Sequence, residues 1–130
     1  MMDASSTVES ERAEPGANPQ QIRAEIWDSL LSMLRVYAYA ASVNHGEFRL
    51  TFVPSGGLRI EHEQLTLLLS LDTASGAGSW RLAEAAIERS GDLRIQDDGR
   101  LLVDGTEKAL DQAAIEWIEC LTKAARKQSS

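Results

Sequence analysis

Residues 48–71 read FRLTFVPSGGLRIEHEQLTLLLSL, and the period of this stretch decides the fold class. Phe48, Leu50 and Phe52 alternate with Arg49, Thr51 and Val53. Leu58 and Ile60 alternate with Arg59 and Glu61, and Leu65, Leu67, Leu69 and Leu71 alternate with Thr66, Leu68 and Ser70. A period of two sends successive side chains to opposite faces of a strand. Pro54-Ser55-Gly56-Gly57, between the first two runs, has the residues of a turn. The stretch predicts three antiparallel strands in a meander with one apolar face.

Upstream, the period becomes helical. Asn18 can cap free backbone N–H groups, and Pro19 fits the first helical position, where its missing N–H costs nothing. Ile22, Ile26, Leu30, Leu34, Tyr37 and Ala41 recur every three or four residues, and Trp27, Leu31 and Ala38 widen that face. Asn44-His45-Gly46 supplies the stop. Residues 1–18 are rich in Ser, Glu and Ala and poor in large apolar side chains. They are expected to form a flexible acidic tail ahead of one α+β domain over 19–127.

Downstream, Ser75-Gly76-Ala77-Gly78 is a connection, and Ser79 can cap a short helix from Trp80 to Arg89 with Trp80, Ala83 and Ile87 on one side. Trp80-Arg81-Leu82 also fits a strand. Leu93 and Ile95 face Leu101 and Val103 across Asp97-Asp98-Gly99. A three-residue loop ending in glycine pairs Ile95 with Leu101 and Leu93 with Val103, a better apolar match than a two-residue turn gives. Thr106 can cap a last helix whose stripe is Leu110, Ala114, Trp117, Ile118, Leu121 and Ala125. The predicted class is α+β, an antiparallel sheet of roughly five strands with helices packed on one face, in the order α-β-β-β-α-β-β-α.

Composition narrows the function. A length of 130 residues suits one core without a staple. The single cysteine, Cys120, excludes an internal disulfide and a Cys-based zinc site. No apolar run approaches membrane-spanning length, and the polar start lacks the basic and apolar segments of a secretory signal, so a cytoplasmic location and no membrane partner are expected. A net charge of -7 repels phosphate backbones and points away from nucleic acid.

Candidate chemistry is sparse. His62 lies between Glu61 and Glu63, which allows a metal ligand or a base beside carboxylates, but alternation turns it away from both and an ordinary turn residue is the plainer reading. Asp97-Asp98-Gly99 is turn chemistry and lacks the spaced oxygens of a calcium loop. No serine sits in a nucleophile motif, and Cys120, beside the apolar stripe of the last helix, reads as a small buried hydrophobe. Gly76-Ala77-Gly78 before a possible helix allows an anion site with Arg81, though Arg81 occupies the third glycine position of a dinucleotide fingerprint. No catalytic residue, metal site or cofactor is implied. The residues read as ligand contacts are Arg81 and His62. Arg49 and Arg59 would join them if a pocket lies between sheet and helices.

Trp27, Trp80 and Trp117 are the aromatic anchors. The wide apolar face of the first helix exceeds what one sheet face needs, so Trp27, Leu31 and Tyr37 are the expected partner-facing residues. The element order, with the hairpin LRIQDDGRLLV over residues 93–103, resembles that of type III secretion chaperones. That resemblance spans most of residues 20–126 and implies a protein-binding role and dimerisation, with no particular functional residue. With a strand over residues 80–87, the order instead looks like the frataxin-like α-β6-α arrangement. That family carries an acidic ridge for iron on its first helix, where this chain offers only Glu25 and Asp28. The expected function is a non-enzymatic protein-binding module, a dimeric chaperone or adaptor. The alternative is a small-molecule-binding or enzymatic domain.

Overall fold

Asn18 opens the fold as the sequence requires. Its side chain accepts the N–H of Gln20 at 2.9 Å, and Pro19 begins helix α1 (Pro19–His45). The structure is a computed structural model that describes the backbone of residues 18–54, 56–84 and 87–129, with side chains to residue 122. Residues 1–17 of the acidic tail expected over 1–18 lie outside the described residues, and the Ala125 side chain at the end of the last stripe lies outside the described side chains. Helix α1 ends at Gly46, whose N–H donates to the Ser42 carbonyl at 3.2 Å.

Strands β1 (Arg49–Val53), β2 (Gly57–His62), β3 (Leu65–Asp72), β4 (Ala77–Ala83), β5 (Glu88–Ile95), β6 (Leu101–Val103) and β7 (Thr106–Lys108) follow, and helix α2 (Leu110–Ser129) closes the chain. The strands form one seven-stranded antiparallel sheet in chain order. The fold is α+β, with the helices packed against each other and on one face of the sheet. Register explains that face. Leu50, Ile60, Leu67 and Leu82 lie opposite one another across β1 to β4, and Phe52, Leu58, Leu69 and Trp80 form the next row. Leu58, Ile60, Leu67, Leu69 and Leu82 are buried beneath Leu30, Leu34, Ala114 and Leu121 of the helices. Removing each such side chain from water stabilises the fold by roughly 2 kcal/mol. The opposite face carries Arg49, Thr51, Arg59, Glu61, Ser79 and Arg81, all at alternate positions.

The hairpin after β5 forms as its sequence predicts. Gln96 N–H donates to the Arg100 carbonyl at 2.9 Å, and Ile95 pairs with Leu101 and Leu93 with Val103. Gly99 takes the positive φ of the loop, +95°.

Two expectations are corrected. Trp80–Ala83 and Glu88–Arg89 are strand, not parts of one short helix. Trp80 pairs with Leu69 and Leu82 with Leu67, which continues the apolar rows and covers the edge of β3. Of the two arrangements, the one without a middle helix is adopted among the described residues, with seven strands rather than six. Thr106 does not cap a helix either. Asp104 and Gly105, at φ +54° and +84°, make a two-residue hairpin turn of the primed kind that matches strand twist, so Thr106 starts β7 and α2 starts at Leu110.

Candidate functional site

The residues read from sequence as a site are not brought together. Trp27 and Leu31 are buried within the protomer, so they offer a partner no surface. Trp27 Nε1 donates to the Gly56 carbonyl at 2.7 Å, and Tyr37 is half-buried against the core. Arg81 lies on the outward face of the sheet, paired with Glu88 at 3.0 Å. Arg49 and Arg59 share that face. His62 lies on the inward face, buried, stacked on Phe48 with ring centroids 4.2 Å apart, and its Nε2–H donates to the His45 carbonyl at 2.7 Å. The alternation that makes the sheet therefore separates His62 from the arginines. With no helix at residues 80–89, the anion site proposed at its start has no helix N-terminus to use. Among the described residues, no group of three His, Cys, Asp or Glu side chains is placed to hold a metal ion.

Two other features are assembled. The first is a patch on the C-terminal half of α1. Val36, Tyr39 and Val43 recur at helical spacing on its outward side, with Tyr39 and Val43 each 79% exposed. Tyr39 also lines a groove between α1 and β1 with Ala38, Phe48 and Leu50. Arg35 and Glu47 stand at that groove, and neither has an ion-pair partner among the described residues.

The second is a cleft of about 320 Å³ at the other end of the molecule. Strand β5 has eight residues but β6 pairs only with Leu93, Arg94 and Ile95, so the first half of β5 runs past the short β6–β7 hairpin. The floor of the cleft is the inward face of β4 and β5, with Trp80, Leu82 and Arg89. One wall is the hairpin, with Val103, Asp104 and Lys108. The other is α2, with Glu116, Trp117 and Cys120.

The polar groups of the cleft are ordered. Asp104 Oδ1 accepts the Asp92 N–H at 2.8 Å and Trp80 Nε1–H at 3.2 Å, which holds the indole across Gly91. A side chain at Gly91 would overlap Trp80 and Asp104, so this position needs glycine. Lys108 Nζ donates to Glu116, which also accepts from Gln112 Nε2 at 3.2 Å. The hydrogen bond from Lys108, its charge and the Gln112 bond hold the Glu116 carboxyl below its ordinary value, against an upward push from burial.

No protein-family model matches this chain. No curated protein and no solved structure resembles it at a significant level either. The assembled features must therefore be read from their own chemistry. Trp80 and Trp117 stand out in the sequence as anchors, but Arg89, Lys108 and Glu116 carry no local motif and meet only because the sheet brings three elements to one corner.

Proposed function

We propose that the protein is a non-enzymatic protein-binding module that works as a dimer, in the manner of a chaperone or adaptor, and that the α1 patch is its dimer seam. The observation that carries this reading is the exposure of Val36, Tyr39 and Val43 on one side of α1, continuous through Tyr39 with the groove against β1. Water-exposed apolar groups at helical spacing favour association by the area they would bury.

A second copy is the occupant that the charges favour. A two-fold interface places the same patch on both partners, so the patch must complement itself. Arg35 and Glu47 give this patch one charge of each sign, both unpaired within the described protomer. The unpaired edge of β1 borders the same groove.

The test is mass in solution, by light scattering on a sizing column over a wide concentration range. The expected result is a dimer that Tyr39→Glu and Val43→Glu convert to monomer. Both side chains are exposed, so circular dichroism of the variants should match that of the parent. A monomer at every concentration, or a dimer that survives both substitutions, overturns the seam.

A further inference from the structure

We propose that the Trp80–Trp117 cleft binds a small, flat, apolar molecule carrying a carboxylate, with its ring against the two tryptophans and its carboxylate on Arg89. This site lies apart from the α1 seam and does not depend on it. A cleft of about 320 Å³ sits at the small-molecule end of the size range for ligand pockets. Its apolar lining comes from Trp80, Leu82, Val103 and Trp117. Indole faces suit a flat ring, which stacks against them offset or edge-on.

Charge selects the ligand's polar group. The cleft holds two cations and two anions, but three of the four are already committed. Asp104 is occupied by the Asp92 N–H and the Trp80 indole. Lys108 and Glu116 neutralise each other. The Arg89 side chain, opposite Leu82 on the inward face of the floor, makes neither a hydrogen bond nor an ion pair among the described residues. A guanidinium at the margin of an apolar cleft matches a carboxylate in both charge and geometry.

The structure supplies a site-specific readout. The chain has three tryptophans, and Trp27 is buried far from the cleft with its Nε1–H on the Gly56 carbonyl. The indole N–H resonances of nitrogen-labelled protein are followed while naphthoate is added, and then its uncharged carboxamide. Saturable shifts of the Trp80 and Trp117 signals are expected, with Trp27 unmoved, and naphthoate should bind more tightly than the carboxamide. In Arg89→Gln, a surface substitution that leaves the fold intact, naphthoate should lose about tenfold in affinity and the carboxamide almost nothing. Trp80→Ala should weaken both ligands. No saturable shift up to millimolar naphthoate overturns the site. Shifts of all three indoles would mean general association and also overturn it. Equal loss of both ligands in Arg89→Gln overturns the carboxylate assignment.

Discussion

Trp27 and Trp117 both project from a helix toward the same face of the same sheet and each lines a cleft, yet one end of the molecule is clamped by a buried side chain and the other is left open. Around Trp27, the N-terminal half of α1 is tied to two hairpins by one side chain. Arg23, 6% exposed, donates from Nε to the Thr73 carbonyl at 2.7 Å, from one terminal nitrogen to the Ala74 carbonyl at 2.6 Å, and from the other to Asp97 at 2.5 Å. Glycine at position 76 leaves the space that the Arg23 stem fills. Near Trp117, β6 and β7 are three residues long and β6 pairs only with the Leu93–Ile95 end of β5, so the first half of β5 is left uncovered on that side. The same building material gives hairpins tied to a helix where a buried arginine clamps them and an uncovered stretch of strand where a hairpin is too short.

The comparison breaks most visibly at Arg23. Arg23→Met keeps the apolar stem but leaves the Thr73 and Ala74 carbonyls and Asp97 without their donor. A loss of about 2 kcal/mol in urea unfolding is expected, because three hydrogen bonds from one buried charged donor are lost together. A loss under roughly 1 kcal/mol would mean that water replaces the guanidinium and that Arg23 is no clamp. Trp27→Phe should come next, at about 1–2 kcal/mol, since it keeps most of the ring and orphans only the Gly56 carbonyl. Neither substitution should change naphthoate binding, because neither residue lines the cleft.

What could be read in the sequence follows the same division. The start of α1, the three-strand meander and the Asp97-Asp98-Gly99 loop each rest on local chemistry, and each forms as that chemistry dictates. The open end depends on relations between distant residues. Leu82-Ala83-Glu84 consists of good helix formers, yet Leu82 is held as strand by Leu67 on one side and Arg89 on the other. Asp104-Gly105 is a hairpin signal in its own right, but the strand after it is only three residues and is easily taken for a helix start. Arg23 has no sequence signal at all. It is a charged residue on an apolar helix face, and only the positions of the Thr73 and Ala74 carbonyls explain its burial.

The smallest expected effect sharpens the comparison at the open end. The Lys108–Glu116 pair is the cleft's counterpart to the Arg23 clamp, but Glu116 is 44% exposed at its side chain where Arg23 is buried. Lys108 lowers the Glu116 pKa from 4.5 in the folded state. A carboxyl whose folded pKa is depressed binds fewer protons folded than unfolded, so it adds stability above its unfolded pKa and loses it as pH falls through the folded one. Solvent screening holds that contribution to a few tenths of a kcal/mol. Thermal unfolding should therefore show Lys108→Met slightly less stable than the parent at neutral pH and losing slightly less stability on acidification below 4.5. The two pH profiles should converge in that acidic window. If Lys108→Met instead unfolded as readily as Arg23→Met at neutral pH, the pair would be a clamp of the same weight as Arg23, and the two ends would not differ in how they are held.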